Sequence, residues 1–141
     1  MKMRQKVVGL YQLGWDEVQI VLREGTGAEF FTCPGDGKCP CIKVGVGKKG
    51  QPESWPTVVS AMLHEAMELS LVRLDTRFAH SERAVSCDHD FVFVHTHGQF
   101  SEACGRAGEC LAACLPDLAK VYNAWHKKPR RAVARREKAD A

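Results

Sequence analysis

Residues 54–74 read Ser54-Trp55-Pro56-Thr57-Val58-Val59-Ser60-Ala61-Met62-Leu63-His64-Glu65-Ala66-Met67-Glu68-Leu69-Ser70-Leu71-Val72-Arg73-Leu74, and this stretch decides the fold class. Val58, Val59, Met62, Leu63, Ala66, Met67, Ser70 and Leu74 recur three and four apart, which is the period of one helix face. Ser54 is a helix-capping residue. Pro56 falls in the first turn, where a missing N–H costs nothing because no carbonyl waits for it. The pattern predicts a helix over about Ser54–Leu74, ending between Asp75 and Phe78.

Upstream of this helix the period changes to two. Val18, Ile20 and Leu22 alternate with Gln19 and Arg23, Gly25 and Gly27 supply a turn, and Ala28 to Thr32 returns. Ile42, Val44 and Val46 alternate with Lys43 and Gly45 after a second turn at Pro34, Gly35, Asp36 and Gly37. An antiparallel β-meander over Lys6–Val46 is the simplest expectation. Downstream, residues 79–90 are polar and read as a loop, with Asp88, His89 and Asp90 as a turn. Phe91 to His97 then reads as a buried, central strand of aromatic and β-branched residues. A helical pattern follows from Ser101 and Glu102 through Cys104, Ala107, Leu111 and Cys114, with a break expected near Pro116 before Leu118, Val121, Tyr122 and Trp125. The expected class is therefore α+β: an N-terminal antiparallel meander, a central helix, one late buried strand and C-terminal helices. Trp15, Trp55 and Trp125 are widely separated and read as core anchors.

The chain has 141 residues, of which 45% are hydrophobic, 26% charged and 8% aromatic, enough for one core and too few for two. Its longest apolar runs fall far short of the roughly 18–20 residues that cross a bilayer, and the Met1-Lys-Met-Arg-Gln-Lys6 start leads into no apolar signal region. Neither a membrane-spanning nor a secreted protein is expected. The formal charge of +3 is unevenly placed. Residues 127–141 carry seven Lys or Arg (Lys127, Lys128, Arg130, Arg131, Arg135, Arg136, Lys138) against Glu137 and Asp140, a tail of +5, while residues 1–126 carry −2. A single domain over 1–126 with a basic, disordered tail over 127–141 is expected, and contact with nucleic acid would have to come from that tail. Seven cysteines, an odd number, suit a reducing cytoplasm better than a disulfide framework.

Chemistry concentrates in the central helix. His64 and Glu68 are four apart, so their side chains stack on one face and can reach a single ion. Glu65 projects about 100° away, beside the position of a water on that ion. Imidazole and carboxylate are both good Zn²⁺ donors, and a carboxylate next to the water is placed to act as general base. The same His64–Glu68 spacing also describes an ordinary ion pair on a helix surface. Further donors follow. His95 and His97 lie two apart in the expected strand, hence on one face, and Glu102 stands one turn into the next helix. The preferred set is one divalent ion, Zn²⁺ by donor chemistry, held by His64, Glu68 and His97, with Glu65 catalytic and His95 the alternative third ligand.

Leu63-His64-Glu65-Ala66-Met67-Glu68, following an apolar strand and a polar loop, resembles the zincin metallopeptidases, whose H-E-x-x-H helix lies beside a substrate-holding edge strand. It is also similar to small bacteriophage or prophage proteins with a His-Glu-x-x-Glu helix. The resemblance covers residues 40–75, and Glu68 stands where zincins have their second histidine. It implies a zincin-like fold, a metal-dependent hydrolase of peptide or protein substrates, and Glu65 as catalytic base. A ligating carboxylate offsets part of the ion's charge and weakens its power to acidify water.

A second constellation supports a different class. Cys33, Cys39 and Cys41 place three thiols within nine residues as C-x5-C-x-C, which with Cys87 or His89 would staple a structural Zn²⁺. The chain would then be a non-enzymatic interaction module whose basic tail contacts nucleic acid or an acidic partner. A degenerate zincin fold that binds no metal is the third reading.

Overall fold

The computed structural model describes residues 3–32, 39–79 and 91–127. Among them the chain is α+β. Strands β1 (Gln5–Leu13), β2 (Asp16–Arg23), β3 (Ala28–Phe31) and β4 (Cys41–Gly45) form one sheet in the order β1-β2-β4-β3. The short pair β5 (Gly47–Lys48) and β6 (Gln51–Pro52) leads into α1 (Trp55–Arg73), and the pair β7 (Arg77–Ala79) and β8 (Phe91–Phe93) leads into α2 (His97–His126).

The N-terminal sheet consists of two antiparallel hairpins, β1 with β2 and β3 with β4. They join through a parallel pair, β2 with β4, in which Ile20 stands opposite Ile42 and Leu22 opposite Val44. This places β3 on the outside of the sheet instead of next to β2, as a simple meander would have it. The driving force is visible in the inward-facing residues. Val18, Ile20 and Leu22 of β2 and Ile42 and Val44 of β4 are all fully buried, and the parallel pairing gathers them into one apolar patch beneath the helices.

Both helices cover that patch. Val58, Met62, Ala66 and Leu69 of α1 and Ala107, Cys110, Cys114 and Leu118 of α2 complete a single core. The α2 positions follow a three-and-four spacing, so one stripe of the helix faces inward for its whole length. Trp125 is buried at the far end with the Arg4 guanidinium 4.5 Å from its ring centroid.

Helix ends are set by local hydrogen bonds. The Thr57 amide donates to Ser54 Oγ at 3.3 Å, capping α1 as its sequence predicts. The helix closes at Arg73, two residues before the expected range, because Asp75 takes a left-handed φ of 56° and the Thr76 amide turns back to the Leu71 carbonyl at 3.2 Å. The buried Thr76 hydroxyl donates to that same carbonyl at 2.7 Å.

Three expectations need correction. The late strand is three residues long and pairs with β7, leaving His95 and His97 outside it. Thr96 stops it: its side chain accepts from the Gln99 amide at 3.1 Å while Gln99 Oε1 accepts from the Thr96 amide at 2.9 Å, a capping box that opens α2 at His97. No break occurs at Pro116, because the inward stripe Cys110, Cys114 and Leu118 holds α2 to the core on both sides of it. Pro116 and Ala112 both lie on the solvent side, where water can take the carbonyl left without a donor. Trp15 is not a core anchor: it sits in the β1–β2 turn, 89% exposed, while Trp55 packs on Tyr122 at 5.3 Å between ring centroids. The basic tail beyond Lys127 and the turn at Asp88, His89 and Asp90 lie outside the described residues.

Candidate metal centre

The inward face of α1 runs Val58, Met62, Glu65, Ala66 and Leu69, all buried. His64 and Glu68 flank that face on the solvent side, four residues apart on adjacent turns. Their side chains meet: His64 Nε2 lies 3.3 Å from Glu68 Oε1, with 65% and 29% of the respective side chains exposed. Glu65 is only 7% exposed. Its carboxylate turns toward the pair, so that a ligand atom from each of His64, Glu65 and Glu68 lies within 4.8 Å of the others. Among the described residues this is the set of three metal-ligating side chains that the fold assembles.

The spacing of His64 and Glu68 suits a small divalent ion. Zn–N and Zn–O bonds of about 2.0–2.1 Å in a tetrahedron put neighbouring donors about 3.3–3.4 Å apart. The 3.3 Å between His64 Nε2 and Glu68 Oε1 matches that edge without rearrangement. One imidazole and two carboxylates are hard-to-borderline donors of the kind Zn²⁺ and Mn²⁺ accept.

The group stands at one end of a cleft of about 540 Å³ lined by Ala28 of β3 and by Pro56, Thr57, Ser60, Ala61, His64 and Glu65 of α1. β3 is an outer strand of its sheet, paired on one side with β4. A strand edge unpaired among the described residues, a cleft floored by small and hydroxyl side chains, and a cluster of ligating groups therefore share one surface.

His97 and His95 do not join this group. The capping box makes His97 the first residue of α2, exposed to solvent. His95 is exposed too, with its ring stacked on Phe100 at 5.3 Å between centroids. Glu102 instead pairs with Arg106, Oε1 to Nε at 3.0 Å. Spacing in the sequence found His64, Glu65 and Glu68, and the fold puts Glu65 on the buried side of the pair.

The cysteine constellation is only partly in view. Cys39 is half-buried and Cys41 is buried in β4, where burial pushes its thiol above the usual range and keeps it protonated. Cys33, Cys87 and His89 lie outside the described residues. No described cysteine belongs to a set of three ligating side chains. Cys110 and Cys114 are core residues of α2, and the Cys114 thiol donates to the Leu111 carbonyl at 3.5 Å.

No protein-family model, no curated protein and no solved structure matches this chain.

Proposed function

We propose that this chain is a small zincin-like metal-binding protein that hydrolyses peptide bonds, with His64 and Glu68 holding one divalent ion, Zn²⁺ by donor chemistry. The observation that carries the reading is the convergence of His64, Glu65 and Glu68 within 4.8 Å at the end of a cleft bordered by β3, an outer strand of its sheet among the described residues. When bound, the ion supplies Lewis acidity that polarises the scissile carbonyl.

The remaining work falls to the chain. An extended peptide adds to the outer edge of β3, where main-chain hydrogen bonds fix its register, and lies across Ser60 and Ala61 toward His64. Glu65, shielded from bulk solvent, accepts a proton from the attacking water and returns it to the leaving amine. His64, largely exposed, already holds Nε2 3.3 Å from Glu68 Oε1. Glu68, partly covered, holds its oxygen in place.

Cleavage of a mixed peptide library by the full chain, followed by mass spectrometry, tests the proposal. Zinc-dependent cleavage, abolished by chelation and reduced at least ~100-fold in Glu65→Gln, is the expected result, since a general base contributes about 10²–10⁴-fold. Cleavage that survives Glu65→Gln, or none with zinc and manganese each supplied, contradicts it.

A further inference from the structure

Unpaired cations gather where β1 begins and α2 ends. Lys6 of β1 and Lys120 of α2 line one groove of about 360 Å³, whose acidic lining residue, Asp117, already accepts the Tyr11 hydroxyl at 2.7 Å. Arg4, one residue ahead of β1, holds its guanidinium 4.5 Å from the ring centroid of Trp125. Lys127 closes α2 two turns after Lys120, about 10 Å further along the same helix face. All four cations are exposed. None of them pairs with a described carboxylate, whereas Arg23, Arg73 and Arg106 each do.

Residues 1–126 carry a formal charge of −2, so this strip does not simply sample a basic surface. The dipole of α2 favours a cation at Lys127 but has no hold on Arg4 or Lys6, which belong to another element. From Lys127 the chain runs on into residues 128–141, with six Lys or Arg against Glu137 and Asp140. That segment has the charge of the groove, and like-charge repulsion opposes its lying there. Residues 80–90 join β7 to β8, the pair that leads into the opposite end of α2. Charge balance at the strip therefore calls for an anion from outside the chain.

We propose that Arg4, Lys6, Lys120 and Lys127, together with the cations of residues 128–141, bind the phosphate backbone of a nucleic acid without regard to its sequence. A nucleic-acid strand carries one negative charge per about 3.4 Å, a density that can meet the four cations of the strip and the six that follow them. Four of those six are arginines in the pairs Arg130-Arg131 and Arg135-Arg136, whose guanidinium forks match phosphate oxygens. The bases are not read. Trp125 is buried beneath Arg4, and no aromatic side chain lines the groove to stack on them. A membrane surface fits less well, because Val133 is the one large apolar residue in 128–141 and offers no face to insert. The cleft beside His64 contains none of these cations, so this contact is separate from the proposed hydrolysis.

Fluorescence anisotropy of a labelled mixed-sequence DNA 20-mer, titrated with the full chain from ~50 to ~300 mM salt and with chelator present, tests this. Binding that weakens steeply with salt is expected. The pair Lys6→Gln and Lys120→Gln should weaken it at least ~10-fold and make the log–log salt slope shallower by about 0.7–0.9 per lysine. The charge-keeping pair Lys6→Arg and Lys120→Arg should bind as the parent does, which separates lost charge from disturbed folding. No binding at ~50 mM salt, or an affinity and slope that the glutamine pair leaves unchanged, overturns the proposal. Equal affinity for polyglutamate or for vesicles containing phosphatidylserine also overturns it, assigning the strip to an acidic protein or a membrane.

Discussion

His64 Nε2 and Glu68 Oε1 stand 3.3 Å apart on neighbouring turns of α1, at a separation shared by a weak hydrogen-bonded pair and by two neighbouring ligands of a tetrahedral zinc site. Stability separates the two roles. With 65% of the His64 side chain in solvent, the pair stabilises the helix by no more than about 0.5 kcal/mol. His64→Ala in metal-free protein should therefore shift the denaturation midpoint very little, as urea titration would show, while a loss of several kcal/mol would assign His64 to the architecture.

The α1 core face is where the fold is vulnerable. Met62 is fully buried between sheet and helices, so Met62→Ala leaves a cavity that its neighbours fill only partly. A loss of about 2–5 kcal/mol is expected by chemical denaturation with no change in secondary structure at low temperature.

Thr96 and Gln99 decide where α2 begins. Thr96→Ala removes the acceptor for the Gln99 amide and should cost about 1 kcal/mol, with increased amide exchange confined to residues 97–100. Loss of protection across the whole helix would show that the cap matters more than the inward stripe.

Tyr11 gives the fold an alkaline limit. Its hydroxyl donates to Asp117 Oδ2 at 2.7 Å, and partial burial together with that carboxylate raises its pKa above the ordinary phenol value of 10.0. A phenol whose folded pKa exceeds its unfolded value stabilises the fold fully below pH 10.0, and the contribution fades as pH rises from there through the folded pKa. Stability against pH in Tyr11→Phe should be flatter than in the parent above pH ~10 and parallel to it below. Parallel curves throughout would detach Tyr11 from the alkaline loss.

Local signals in the sequence were strong where the structure is local. Ser54, Pro56 and the spacing from Val58 to Leu74 place α1 to within a residue or two, and with it His64, Glu65 and Glu68. Thr96-x-x-Gln99 was equally local and legible as a capping box, yet the aromatic and β-branched run before it suggested that the strand continued through His97. The parallel meeting of β2 and β4 was not legible, because register between two hairpins depends on how their apolar faces fit beneath the helices and not on any turn. Trp15 misled for a related reason. Its large apolar side chain points to the core, yet it falls in the two-residue turn between β1 and β2, where it is 89% exposed.

The central claim is that the α1 group holds a metal, and the most direct measurement is metal stoichiometry by elemental analysis. Full-length protein would be purified without tag or chelator beside His64→Ala and Cys39→Ser. The account predicts about one zinc per chain in the parent and in Cys39→Ser, and none in His64→Ala. Metal retained in His64→Ala and lost in Cys39→Ser, or a parent that takes up neither zinc nor manganese when they are added back, would contradict it.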